Sequence, residues 1–409
     1  MAVVTFVVGA VHLVLLLHCI FPSQSVIHRI KCPPGCMCQY NKKADCECGS
    51  STGLSSIPQT LSPMLESLTL SNCPLSALRP EQFERYRQLR TLVLSKHRQL
   101  AQIEPFTFRG MNALRLLAIR QNPRLTNLTN LALGGIHSDG ALRVYLSDNN
   151  ITEISGFAFA HTRGIRELHL DNNPLRTIRQ HAFSGLYHVH SIRLPHKVQL
   201  IEPEAFSNFT RLHHLHLDKW QPAKHGGVQP LTFKGLSHVS AISIRRSQLG
   251  TVHPHAFSGL HVVEQIVIAD SSIHRLRRRA FVGTRNVGRI EFRNSEIGRI
   301  DRNFFHYVPN EHLRFTHNTL NCSCRNMWLF LPELQPLTPA GMFSDNYCAW
   351  PPDFRDRSLQ ILPRPWIEQC VLTQFADDAD GAGGLRETAL TLTLVTATLL
   401  VMNTLVQTV

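Results

Sequence analysis

Lysine and arginine are absent from both ends of this 409-residue chain: none precedes Arg29 and none follows Arg386. Residues 1–20 are almost wholly apolar, and the small residues Ser23 and Ser25 follow them. This pattern reads as a secretory signal peptide over 1–25, with a retained signal anchor as the alternative. Residues 389–409 are again apolar and rich in threonine. A single-pass helix normally carries basic residues on its cytoplasmic side, and here there are none. The small, acidic stretch from Asp377 to Gly384, a short spacer and the apolar tail match a glycolipid-anchor signal. Attachment is expected at Asp380, Gly381 or Ala382. A transmembrane helix without a cytoplasmic part is the alternative, because about 21 apolar residues are enough to cross a bilayer. Either way, the stretch between is expected on the extracellular side of the plasma membrane.

Catalytic signatures are scarce as well. There is no H-E-x-x-H and no phosphate-binding loop. The 23 histidines are so many that a triad drawn on paper means nothing. The glycine cluster from Gly381 to Gly384 follows no strand pattern. No enzyme, cofactor or metal is expected. Acidic residues are outnumbered, 29 against 42 Lys and Arg, for a formal charge of +13. Such a surface attracts anionic partners such as sulfated glycans, lipid head groups or acidic protein faces. The expected compartment and the lack of a nucleic-acid motif exclude nucleic acid.

What is present is a repeat. A unit of about 24 residues recurs about eleven times between Leu65 and Leu320. It is readable at Ile165, Leu168, Leu170, Asn173, Leu175 and Phe183, and again at Val263, Ile266, Ile268, Ser271, Ile273 and Phe281. The first, fourth and sixth positions are apolar, as expected of a short strand that points alternate side chains into a core. The ninth column reads Cys73, His97, Asn122, Asn149, Asn173, Lys197, Trp220, Ser247, Ser271, Ser295 and Asn318. Asn there caps buried backbone groups and Ser partly replaces it. Lys197 and Trp220 cannot, so the turn is expected to be remodelled near them. A phenylalanine column, Phe83, Phe108, Phe159, Phe183, Phe206, Phe233, Phe257, Phe281 and Phe305, is expected to stack in the core. Two repeats are longer, at Thr126 to Gly140 and at Trp220 to Pro230, and such insertions often touch partners.

The cysteines avoid the repeats. Cys32, Cys36, Cys38, Cys46 and Cys48 precede them, Cys322, Cys324, Cys348 and Cys370 follow them, and only Cys73 lies within. In an oxidising compartment these read as disulfides. They fall where a stacked array exposes unpaired strand groups and half a core. Cys73 either pairs with Cys48 or is a buried thiol at the ninth position. The same spacing suits zinc, which an extracellular setting disfavours.

The repeat L-x-x-L-x-L-x-x-N-x-L, with its later Ala-Phe, resembles the leucine-rich repeat. Cys-x-x-x-Cys-x-Cys from Cys32 to Cys38 resembles the N-terminal cap of such arrays. Cys322-x-Cys324, followed by Met-Trp-Leu, resembles the C-terminal cap. The whole chain is similar to the extracellular leucine-rich-repeat cell-surface proteins, such as connectin, chaoptin and the Nogo receptor. That resemblance implies an α/β solenoid, a horseshoe with a parallel concave β-sheet and disulfide-bonded caps. The caps would occupy 26–64 and 321–372, the repeats 65–320, the linker 373–388 and the tail 389–409. It also implies the pairs Cys322–Cys348 and Cys324–Cys370. Functionally it implies a membrane-tethered adhesion or recognition receptor that binds an extracellular or cell-surface protein, homophilically or heterophilically. The alternative is an electrostatic scaffold that binds glycosaminoglycans or matrix.

Strand alternation turns the third, fifth and seventh positions out of the concave sheet. Those positions hold His169, Arg193, His214, His216, Arg245, Arg289, Arg293 and Arg314, where a ligand on the sheet is expected to dock. A second basic run, Arg275, Arg277, Arg278 and Arg279, follows a strand and is expected off that face, as a patch for an anionic glycan or partner. No histidine is read as a pH switch, because the sequence pairs none with a carboxylate. Glycosylation sequons occur at Asn127, Asn150, Asn208 and Asn321. Asn127 and Asn208 are the expected acceptors. Asn150 follows a ladder residue and Asn321 adjoins a disulfide, so both are expected to be less accessible.

Overall fold

A computed structural model describes residues 34, 36–39, 45–48, 53–308 and 310–371. The expected signal peptide, Cys32, the anchor positions Asp380, Gly381 and Ala382, and the apolar tail lie outside the described residues. The chain divides into two compact units, Met1–Ile151 with Ala158–His169, and Thr152–Phe157 with Leu170–Val409.

In the first unit an antiparallel pair, Cys36–Gln39 and Asp45–Cys48, starts the sheet. The strands Ser67–Ser71, Thr91–Ser95, Leu116–Arg120, His137–Tyr145 and Thr162–His169 then join in parallel, one per repeat. In the second unit Val189–Arg193, Leu212–Asp218, Ser237–Arg245, His261–Ala269, Arg285–Arg293 and Leu313–Thr316 form a parallel sheet of the same kind. This unit also holds a second parallel sheet, from Gly227–Val228 through Gln248–Val252, Ser272–Leu276, Glu296–Ile300 and Thr319–Asn321 to Tyr347–Trp350. Each unit is thus a parallel β-solenoid with little helix.

The apolar columns form the core. Leu68, Leu70, Leu92, Leu94, Ile242, Ile244, Ile266 and Ile268 are all fully buried. Every member of the phenylalanine column is buried as well. Its rings stack within the units, with centroids 4.9 Å apart for Phe233 and Phe257 and 4.5 Å for Phe257 and Phe281. In the third repeat, which has no Phe, Leu133 is buried after Ala132.

The ninth column is a ladder of amides. The Cys73 N–H donates to His97 Nδ1 at 3.1 Å, the His97 N–H to Asn122 Oδ1 at 3.0 Å, and the Asn122 N–H to Asn149 Oδ1 at 2.9 Å. In the second unit it runs from the Trp220 N–H to Ser247, Ser271, Ser295 and Asn318, and ends on Asn346 in the cap. Lys197 is exposed, as a residue that cannot cap should be. Trp220 is buried against Phe233. The insertion after it makes a short 3-10 helix, Pro222–His225. The chain then presses on its neighbour at Gly227, where an added Cβ would sit 1.9 Å from the Thr251 carbonyl oxygen. Only glycine allows that approach.

At the C-terminal end the bonds Cys322–Cys348 and Cys324–Cys370 are both formed. Cys73 is not disulfide-bonded. It is a buried thiol at its ladder position, so its place among the disulfide cysteines is corrected. Cys36, Cys38, Cys46 and Cys48 sit on the opening antiparallel pair, with Cys36 opposite Cys48 and Cys38 opposite Cys46 in register.

Candidate ligand-binding face

All eight basic residues expected on the sheet lie on its strands. His169 belongs to the first unit, at the end of Thr162–His169. Its ring stacks on its register partner Tyr145 at 4.6 Å, and its Nε2 lies 3.3 Å from a Glu167 carboxylate oxygen. The sequence reading paired no histidine with a carboxylate. The signal was present, because residues two apart on a strand share a face.

The other seven belong to the second unit. Arg193, His216, Ser243, Val267, Glu291 and Arg314 stand side by side on successive strands. His214, Ala241, Gln265 and Arg289 form a second row, and Asp218, Arg245, Ala269 and Arg293 a third. The rows do not make one basic field. The small or apolar residues Ala241, Val267 and Ala269 are buried, and they stand between the earlier and later basic groups. In the later group Glu291 lies 3.8 Å from Arg293 Nη1 and in register with Arg314, which offsets part of the charge.

The earlier group is better built. Arg193, His216 and Arg245 line a depression of about 320 Å³ together with Asp171, Asp218, Ser243 and Arg246. The Arg246 Nε donates to Asp218 Oδ1 at 2.9 Å, and this hydrogen bond holds the Arg246 guanidinium above its usual range. The Arg245 Nε donates to Ser243 Oγ at 3.1 Å. The depression therefore presents guanidinium, imidazole, hydroxyl and carboxylate groups on a rigid sheet. Beside it is a group of imidazoles. His190 lies 5.1 Å from His213 and 5.3 Å from His214, centroid to centroid, and His214 lies 5.9 Å from His216. Sequence reading missed His190 and His213 because they stand at the second repeat position, which alternation turns off the face. Among the described residues no set of His, Cys, Asp or Glu side chains is arranged to hold a metal ion.

The basic run is not the simple patch it resembles in sequence. Arg275 lies within Ser272–Leu276 of the second sheet, and only the rest follows the strand. Arg275 and Arg277 are ion-paired to Asp301, at 2.6 and 3.1 Å. Arg279 stands over the Tyr307 ring at 5.2 Å. Among the sequons, Asn150 and Asn208 are exposed, whereas Asn127 and Asn321 are half-buried. The Asn321 Oδ1 accepts the Ser323 N–H at 2.9 Å. Accessibility thus differs from expectation at Asn150 and Asn127. A G-x-S-x-G string also exists, Gly49 to Gly53. A nucleophile elbow needs such a string to lead into a helix, and residues 53–66 are coil and turns.

The BspA-type leucine-rich-repeat region matches residues 142–221 and 227–324 in six copies, and the leucine-rich-repeat family matches residues 63–123. The chain is a leucine-rich-repeat protein. Toll-like receptor 2 type-1 of Gallus gallus is 26% identical over 42% of this chain and 21% of its own length. Podocan of Mus musculus is 25% identical over 54% of this chain and 38% of its own. Leucine-rich repeats and immunoglobulin-like domains protein 1 of Homo sapiens is 27% identical over 52% of this chain and 19% of its own. The matches thus span between about a fifth and two-fifths of these relatives. A leucine-rich-repeat solenoid is a scaffold of a kind that typically carries no catalytic site. No helix among the described residues is long and apolar enough to cross a membrane.

Proposed function

We propose that this leucine-rich-repeat protein is an extracellular recognition or adhesion receptor, tethered to the plasma membrane through its C-terminal segment. Its binding face is the main sheet of the second unit. The observation that carries this reading is the depression lined by Arg193, His216 and Arg245 beside Asp171 and Asp218. These polar side chains stand on the strands of a packed solenoid, and a polar rim of both signs fits a protein surface better than a small apolar molecule. The surplus of guanidinium and imidazole makes an acidic patch on the partner the best complement. One relative is named as a receptor, which agrees with this reading.

The test is a cell-mixing assay with cells that display the full chain, repeated after treatment with a phospholipase that cleaves glycolipid anchors. Clustering of displaying cells, with their own kind or with cells lacking the chain, supports recognition and separates homophilic from heterophilic binding. Loss of surface protein on treatment supports the glycolipid tether. Absence of clustering with either cell type overturns the adhesion reading.

A further inference from the structure

The charges around Asp301 do not balance. The Arg275 Nε donates to Asp301 Oδ1 at 2.6 Å, the Arg277 Nε lies 3.1 Å from Oδ2, and the Arg299 Nε lies 4.0 Å from Oδ1. Three guanidinium groups thus converge on one carboxylate, whose side chain is only 9% exposed. Arg275 and Arg299 are register partners on adjacent strands of the second sheet, an arrangement in which like charges destabilise. The Nε atoms of Arg277 and Arg299 are buried and make no hydrogen bond. Burial, and then the charge of Arg275, hold the Arg299 guanidinium below its usual range. On the cap helix Cys324–Phe330, Asn326 donates its Nδ2 to the Gly298 carbonyl at 2.9 Å and accepts the Ile300 N–H at 3.0 Å. This sets its exposed neighbour Arg325 beside the strand of Arg299 and in reach to act in the same direction. Asp301 is the buried member of this cluster, whereas the arginines reach solvent, so their surplus charge is open to an anion from outside. Here the three arginines exceed the carboxylate by two positive charges, and Arg325 adds a third.

We propose that Arg275, Arg277, Arg299 and Arg325 form a binding site for the sulfate groups of a sulfated glycan, held in place by Asp301. The three inner arginines turn their Nε edges toward Asp301 and remain 29%, 38% and 41% exposed. Their terminal nitrogens form the fork that grips a planar pair of oxyanion oxygens. Sulfate oxygens would neutralise the surplus positive charge that Asp301 alone leaves unmatched. The cations also stand on successive coils, with neighbouring strands about 4.8 Å apart. That row suits a chain bearing repeated sulfates better than a single small ion. Arg279, which stacks on Tyr307, is outside the site, whereas Arg299 and Arg325 join it from later repeats. The site lies off the main sheet and does not depend on the receptor reading.

The experiment is titration of the purified full chain with a sulfated heparin oligosaccharide, with its desulfated counterpart, and with vesicles containing phosphatidylserine. Three variants are compared with wild type: Arg299→Gln, Arg325→Gln and, as a control at an exposed lysine away from both sites, Lys224→Gln. The sulfated oligosaccharide is expected to bind and to raise the melting temperature. Arg299→Gln is expected to weaken binding about 5- to 10-fold while melting no lower than wild type, since it removes a like-charge neighbour. Arg325→Gln, at an exposed position, is expected to weaken binding about 2- to 5-fold with unchanged melting, and Lys224→Gln to change neither. Equal affinity of wild type, Arg299→Gln and Arg325→Gln overturns the proposal. So does equal binding of the desulfated chain, or a preference for the vesicles. If Arg299→Gln fails to fold, Arg325→Gln alone decides.

Discussion

The backbone N–H of Cys73 donates to the imidazole Nδ1 of His97 across one repeat, at 3.1 Å. His97 thereby does what an asparagine does elsewhere in the ladder. It is fully buried, and burial lowers its pKa below 6.5 against the opposing pull of the Cys73 and Leu70 backbone. The folded chain therefore holds a neutral ring, and the unfolded chain takes up a proton near pH 6.5. Stability is fully present above that pH and declines as pH falls through 6.5 toward the lower folded value. His97→Asn keeps the acceptor and removes the titration. Thermal unfolding between pH 7.5 and 5 should show a shallower loss for His97→Asn than for wild type. Equal slopes would contradict the assignment.

In the second unit the ladder ends on Asn346. Its Oδ1 accepts from both the N–H and Nδ2 of Asn318, at 2.9 Å each, and its Nδ2 donates to the Phe315 and Met342 carbonyls. Asn346→Ala leaves several buried polar groups without partners, each worth roughly 1–3 kcal/mol. We expect a loss of about 3 kcal/mol or more by denaturant titration. An effect below about 0.5 kcal/mol, the size of an ordinary surface substitution, would show that the cap does not depend on this ladder.

How far the fold was legible depended on what repeated. The apolar columns and the phenylalanine stack follow the period, so Phe83, Phe257 and the rest could be placed without coordinates. The cap bonds of Cys322 and Cys324 were legible through family resemblance. The second sheet was not. Its strands bury Leu249 with Val252 and Ile273 with Leu276, a spacing of three that hides the alternation of a strand. Asn346 was missed because it belongs to the cap and stands outside the period; His97 was placed in the ninth column, but its capping role was not read, because imidazole is rare in an amide ladder. The grouping around Asp301 draws on residues from different repeats. Only the register of adjacent strands reveals it.

Phe257 lies between Phe233 and Phe281 in a continuous stack. Phe257→Ala should cost about 3–5 kcal/mol, the usual range for a buried phenylalanine. Phe257→Leu should cost less, because the third repeat already buries Leu133. Equilibrium denaturation of both variants checks this ordering, and equal costs would argue against the stack as the stabilising element.

When the full chain is expressed through a secretory pathway, mass spectrometry should find glycans on Asn150 and Asn208, which are exposed. Asn321 should remain unmodified, because its side chain accepts the Ser323 N–H. Full occupancy at Asn321 with none at Asn150 would show that accessibility in the folded chain does not govern the modification.

Charge reversal on the main sheet tests the receptor reading most directly. Arg193 and Arg245 are exposed and line the same depression, so Arg193→Glu with Arg245→Glu should leave folding intact. In the cell-mixing assay, clustering by the double variant should fall at least about tenfold at equal surface display, the effect of losing roughly 1.4 kcal/mol or more. Reversal of the exposed Lys224 on the insertion should leave clustering unchanged. Clustering that survives the double reversal and is lost with Lys224→Glu would contradict the assignment of the binding face.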